Sequence, residues 1–228
     1  NVTNMTDIFA NASALSDENK CKINLEWSSN VNWPYSDWPN DCYQFTSKEE
    51  LQTAVDLWVV DNTSALATYG EINTWDVSMI TDMSFLFQPN PSFNDDISNW
   101  DVSNGIYMGA MFENASSFNQ DISNWDVSNV IDMSFMFKNA SSFNQDISNW
   151  DVSNVTNMIE MFYFAESFNG NISSWDVSNV LYMNGMFKDA ESFNQNLSSW
   201  DVSSVTNMAW MFAHQGAFNN GGLPLDWN

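Results

Sequence analysis

Positive charge is almost missing from this chain. Five lysine plus arginine residues stand against 29 aspartate plus glutamate in 228 residues, for a formal net charge of −24. Phosphate binding needs a basic face, so nucleic acid is excluded as a partner, and an anionic membrane surface is disfavoured for the same reason. Histidine occurs once, at His214. No Ser-His-Asp order, HExxH, P-loop or dinucleotide fingerprint accompanies it. The expectation is a protein that is not an enzyme, in which paired acids such as Asp95 and Asp96 are solvated charges. No apolar run reaches the 18 residues of a membrane span, and the opening "NVTNMTDIFANASAL" lacks the charged end and apolar core of a signal peptide. Cysteine is scarce as well. Cys21 and Cys42 are the only two, too few for a disulfide scaffold or a Cys/His zinc site.

Aromatic residues and methionine are abundant instead: 12 Trp, 17 Phe and 13 Met. They recur with a fixed period. From Phe93 the chain reads "FNDDISNWDVSNGIYMGAMFENASS", then "FNQDISNWDVSNVIDMSFMFKNASS", and so on, with a looser copy from Thr68. Trp75, Trp100, Trp125, Trp150, Trp175 and Trp200 are each 25 residues apart. Such a period is the signature of a solenoid, whose turns bury their apolar sides against one another. In the turn 118–142 the apolar positions are Phe118, Ile122, Trp125, Val127, Val130, Met133, Met136, Phe137 and Ala140. Gaps of two or three residues favour short strands and tight helical turns over a long helix. "NWDV" reads as a short strand and "SNVIDMSFMF" as a helical or 3₁₀ return. Successive strands are then expected to form a parallel ladder at a spacing of about 4.8 Å.

These residues resemble the BspA-like branch of leucine-rich repeats, and in particular its 25-residue "WDVSNVTNMSxMF" repeat. Ile122, Trp125 and Val127 fall where that family has its strand consensus, and Val130, Met133, Met136, Phe137, Ala140 and Phe143 match its return half. The resemblance implies a right-handed, leucine-rich-repeat-like α+β solenoid with short parallel strands. It also implies a cell-surface or extracellular role and no enzymatic activity.

Four parts are expected along the chain. Residues 1–15 look like the back half of a turn, 16–67 like a capping module, 68–217 like six turns, and 218–228 like the front half of another. The capping module holds both cysteines, and a Cys21–Cys42 disulfide there would contribute about 3 kcal/mol for a loop of about twenty residues. It also holds a helix near 47–60, with Thr46 as N-cap, Glu49 three residues on, and Leu51, Ala54, Val55 and Trp58 as the apolar stripe. The two ends share one phase. Placing Asn1 after Asn228 puts Leu15 one period beyond Phe218, and Val2, Met5 and Phe9 take the phases of Val155, Met158 and Phe162. The expectation is a unit continued head to tail by copies of itself at an Asn228–Asn1 junction, building a filament.

Residue ladders raise the question of sites. An exposed Trp ladder would be a sugar-binding strip, but Ile and Val on either side point to core. The Met positions read as core filler. The asparagine after each repeat Phe (Asn94, Asn119, Asn144, Asn169, Asn194 and Asn219) is expected to hydrogen-bond along the stack. Asp76, Asp101, Asp126, Asp151, Asp176 and Asp201 follow the six tryptophans. Like charges about 5 Å apart repel by about 0.8 kcal/mol in water. Either Asx-type bonds to following amides or calcium (or another hard cation) along the ladder would compensate. Sequons at Asn1, Asn4, Asn11, Asn62, Asn114, Asn139, Asn154, Asn171 and Asn196 point to N-linked glycans and an extracellular location. The function expected is a structural subunit of a glycosylated extracellular fibril. The alternative is a cell-surface adhesin, with calcium as an open requirement, whose concave strand face grips a protein or glycan.

Overall fold

The computed structural model describes residues 8–9, 20, 23, 32–35, 43–88, 90–216, 218–222, 225 and 227. Most of residues 1–42, including Cys21 and Cys42, lie outside that set. Among the described residues there is no disulfide, and the expected Cys21–Cys42 bond falls on residues that are not described.

Between residues 43 and 70, two helices precede the repeats. Helix α1 spans Lys48–Val60 and is capped one residue later than the sequence suggests: the Ser47 hydroxyl accepts from the Glu50 amide at 3.2 Å. Both Thr46/Glu49 and Ser47/Glu50 have capping spacing. The second pair prevails because Glu50 makes further bonds. Its carboxylate accepts from the Tyr43 hydroxyl at 2.6 Å and from the Thr46 amide at 3.0 Å. Leu51, Ala54, Val55 and Trp58 are the buried side of α1. Helix α2, Asn62–Tyr69, has no counterpart in the sequence reading; it starts because Asp61, which ends α1, also caps it by accepting from the Ser64 amide at 3.2 Å. Gly70, at φ 74, closes α2. Thr68 and Tyr69 thus belong to a helix, not to the front of a first repeat.

Beyond Gly70 the 25-residue units lie one on another, but the strand-built leucine-rich-repeat solenoid is not what they form. Among the described residues there is no β-strand and no sheet. Neighbouring units share only isolated parallel bridges, along Asp82, Tyr107, Asp132, Asn157, Tyr182 and Asn207. The unit 118–142 shows the reason. Its "NWDV" segment closes its hydrogen bonds locally: the Trp125 amide donates to the Ile122 carbonyl at 3.2 Å and the Val130 amide to Val127 at 2.9 Å. Asp126 takes the Ser128 amide at 3.0 Å. Amides engaged in turns are not available to a ladder.

The segment expected as a helical return carries the backbone ladder instead. Every second amide from Met133 donates to the next unit: Met133 to Asn157 at 3.0 Å, Phe135 to Ile159 at 2.7 Å, Phe137 to Met161 at 2.9 Å and Asn139 to Tyr163 at 2.8 Å. The amides between them close β-turns, such as Lys138 to Phe135 at 3.0 Å. This alternation requires left-handed backbone at two places per unit. Phe85, Ala110, Phe135, Glu160, Gly185 and Trp210 mark the first, and Asn114, Asn139, Phe164, Asp189 and His214 the second. Only Gly185 meets that demand without strain. The other residues are held there by bonds on both sides.

Aromatic stacking fills the interior. Phe87, Phe112, Phe137, Phe162, Phe187 and Phe212 form one column, with centroids 5.3, 5.5, 5.6, 5.7 and 5.8 Å apart and ring planes within 6°. Phe93, Phe118, Phe143, Phe168, Phe193 and Phe218 form a second, whose rings lie 3.9–4.1 Å from those of the first. Each Trp sits on the other flank of the first column, as Trp125 does at 6.2 Å from Phe112. Burying one such ring is worth several kcal/mol.

Candidate recognition face

The six repeat tryptophans are buried, with 1–4 % of their surface exposed. That placement removes them from any sugar-binding strip and gives them a second task. From Trp100 onward each indole N–H reaches a carbonyl of the unit before (Trp100 to Ile72 at 2.8 Å, Trp150 to Ile122 at 3.1 Å, Trp200 to Ile172 at 3.1 Å), while Trp75 donates to the Gly70 carbonyl at 3.2 Å. Trp227 repeats this at the Leu197 carbonyl, 3.0 Å away. The asparagine ladder works the same way. The Asn119 amide donates to Asn94 Oδ1 at 2.8 Å, and the pattern continues through Asn144, Asn169, Asn194 and Asn219 at 2.8–2.9 Å. Side chains therefore tie units together where the backbone does not.

The aspartates after the tryptophans each close an Asx turn. Ser78, Ser103, Ser128, Ser153, Ser178 and Ser203 donate their amides to Asp76, Asp101, Asp126, Asp151, Asp176 and Asp201 at 3.0–3.1 Å. The hydroxyl and then the amide of that serine hold the carboxyls of Asp126, Asp151, Asp176 and Asp201 below the usual carboxylate range. Slight burial, and for the first three a neighbouring aspartate, push the other way. The sequence reading gives one such turn per unit, but from Phe93 onward there are two where Tyr107 or Tyr182 holds the bridge position and three where Asp or Asn does, as in the unit 118–142. Asp121, Asp126 and Asp132 in one unit accept from Ser123, Ser128 and Ser134 at 2.9, 3.0 and 2.8 Å. The signal was present as D-x-S written three times in "QDISNWDVSNVIDMS". Among the described residues, no group of three or more acid, His or Cys side chains is placed to hold a metal ion.

The sequons are unevenly placed. Asn62, Asn154 and Asn171 are exposed. The Asn154 amide nitrogen donates to the Ser128 carbonyl at 2.7 Å, and that of Asn139 to Asn114 Oδ1 at 2.7 Å. Asn171 and Asn196 use their oxygens in Asx turns with Ser173 and Ser198. Asn1, Asn4 and Asn11 lie outside the described residues, as do Asn228, Val2 and Met5 of the expected junction. Of the two junction residues that are described, Phe9 and Phe218, the first packs edge-on to Trp33 and Tyr35 at 6.3 and 5.8 Å. Phe218 stacks on Phe212 at 4.1 Å.

One face differs from the rest. Trp-Asp-Val-Ser recurs unchanged in all six units, whereas the positions along the backbone ladder change from unit to unit. The bridge position reads Asp82, Tyr107, Asp132, Asn157, Tyr182, Asn207, and the first left-handed position reads Phe85, Ala110, Phe135, Glu160, Gly185, Trp210. Apart from Met79 on the first turn, the exposed large apolar side chains of the six units gather on this stretch: Phe85 at 53 %, Trp210 at 70 %, with Tyr107, Phe164, Leu181 and Tyr182. So do all three lysines between residues 43 and 216. Lys138 lies 2.8 Å from Glu160 and 5.0 Å from the Phe135 ring centre; Lys188 lies 4.8 Å from the Tyr163 ring. Lys48 of α1 pairs with Asp82 at 2.9 Å. Burial pushes the Asp82 carboxyl up, but the Ser84 hydroxyl, Lys48 and the Ser84 amide outweigh it, so it is held low. His214 faces Asp189 at 3.1 Å. Such a face offers ring stacking, cation–π contact and paired charge, which is the chemistry of specific association.

A family model described as "Mycoplasma protein of unknown function, DUF285" matches residues 57–163 and 144–228. No curated protein and no solved structure matches the chain. Among the described residues, no helix is long and apolar enough to cross a membrane.

Proposed function

The chain belongs to the DUF285 family, whose description assigns no function, and from that premise we propose that it is a non-catalytic recognition module displayed outside the cell. The observation that carries this reading is the separation of repeated from varied positions. Turn and core positions recur from unit to unit, while the ladder positions carry different aromatic, acidic and basic side chains on one face. The backbone ladder lets side chains vary there at little cost, and what stands on that face is a set of large exposed rings beside paired charges, the kind of patch that marks an interaction site. Extracellular placement draws on the sequons and on the motif's resemblance to BspA-like surface repeats. The fibre reading rests on the phase of the two ends and on the likeness of the units, whereas the varied face favours recognition.

An array of purified extracellular-matrix and cell-envelope proteins and glycans tests the proposal. A ligand is expected that loses at least tenfold in affinity when Tyr107, Tyr182 and Trp210 are all changed to Asn. The same ligand is expected to be indifferent to Asp101→Asn and Asp151→Asn on the repeated turns. Equal losses from both variants, or no ligand at all, would reject the reading.

A further inference from the structure

We propose that the cleft between Phe85 and Phe135 accepts the ammonium group of a lysine side chain from a partner polypeptide; the inference rests on the recognition reading above. The argument is that the molecule already contains such a site with a lysine in it. The sequence Asp-Met-Ser-Phe occurs twice in the chain, at 82–85 and at 132–135. At the first copy, Lys48 of α1 sets its Nζ 2.9 Å from Asp82 and 2.7 Å from the Ser84 hydroxyl, and 5.9 Å from the centre of the Phe85 ring. A carboxylate, a hydroxyl and a ring face together satisfy an ammonium's charge and its donors.

The second copy repeats the turn, with the Lys138 ammonium already 5.0 Å from the centre of the Phe135 ring. The Ser134 amide donates to Asp132 at 2.8 Å, matching the Ser84–Asp82 bond at 2.8 Å. No ion pair engages Asp132 among those described: the nearby Lys138 is held by Glu160 at 2.8 Å and Glu113 at 3.9 Å. The unit between the copies has Gly109 and Ala110 where its neighbours carry Ser and Phe. The missing bulk opens a cleft of about 350 Å³ bounded by both copies. An aromatic ring flanks it on either side and a carboxylate stands at each edge, so it suits an alkyl stem that ends in a cation. A chain of net charge −24 also draws a basic partner toward it.

The test titrates the full-length, 15N-labelled chain at about 0.15 M salt, where surface charges about 8 Å or more apart are largely screened. The probe is the acetylated peptide Gly-Ser-Lys-Ser-Gly, with its norleucine counterpart as the uncharged control. Saturable shifts are expected at the amides of Gly109, Ala110 and Ser134 with the lysine peptide only. Asp132→Asn is expected to weaken binding about tenfold, as loss of a charge-assisted bond does. This variant keeps the fold, because Asn157 and Asn207 hold the equivalent turns at 3.1 and 3.0 Å. Ala110→Phe, which installs the neighbours' residue at the same backbone conformation, is expected to abolish binding. Equal shifts with the norleucine peptide, shifts spread along the aspartate turns, or no response to Asp132→Asn would each overturn the proposal. If the cleft ignores lysine while an array ligand still depends on Tyr182 and Trp210, this inference alone falls. If that dependence fails too, the recognition reading falls with it.

Discussion

Each repeat unit divides into two halves that solve one problem differently. In the half around Trp-Asp-Val-Ser, backbone amides are consumed by Asx turns, and units are joined by side chains: indole N–H, asparagine oxygen and glutamine amide, as with Gln145 to the Asn119 carbonyl at 2.7 Å. In the half from Met133 to Asn139, the backbone itself joins the units, and side-chain links such as Lys138 to Glu160 at 2.8 Å and Asn139 to Asn114 at 2.7 Å only add to it. The consequence is a division of freedom. Where side chains hold the stack, changing them breaks it. Where the backbone holds it, side chains vary at little cost, and that is where the aromatic and charged residues of the recognition face stand.

The sharpest way to break this contrast is to exchange a ring on the inside for one on the outside. Phe137→Ala, at a fully buried position in the first phenylalanine column, is expected to lose about 3–5 kcal/mol. Phe135→Ala, two residues away on the outer face, is expected to lose less than about 1 kcal/mol. Thermal and denaturant unfolding measure both, and similar losses would end the distinction between the two faces. Next in size is Trp150→Phe. It keeps most of the ring but strips the Ile122 carbonyl of its indole donor, at an expected cost of about 1–3 kcal/mol. A smaller loss would mean that the indole bond does not hold the units together.

The smallest effect belongs to the turns. Asp151→Ala is expected to cost no more than about 1 kcal/mol at that exposed position, with Asp151→Asn closer to neutral because its oxygen still accepts the Ser153 amide. Acid gives the same result collectively. Asp121, Asp126, Asp146, Asp151, Asp176 and Asp201 are all held low in the folded chain. Their contribution is therefore complete above the unfolded aspartate value of about 3.9 and is lost as pH falls through the lower folded values. A melting temperature that drops below about pH 4 and drops less when several turns carry Asn is the expected record.

Much of this was legible in the sequence. The period of 25 and the identity of the interior follow from spacing alone: the nine apolar positions assigned to the turn 118–142 are all buried. The helix before the repeats was legible from its stripe and missed by one residue at its cap, because two serine/threonine–glutamate pairs compete there and Tyr43 decides between them. The strand assignment failed for a different reason. "NWDV" has strand composition, yet Asp and Ser within and after it take the amides that a strand would have lent to its neighbours.

The amino-acid sequence by itself determined the period, the buried set and the Asx turn after each Trp, because each depends on residues within a few positions of one another. Only the tertiary structure decided which half of the unit would carry the backbone ladder and which positions would share an outer face. That choice depends on whether an amide's nearest acceptor lies in its own turn or 24 to 25 residues away in the next unit, and such a distance exists only once the units are stacked.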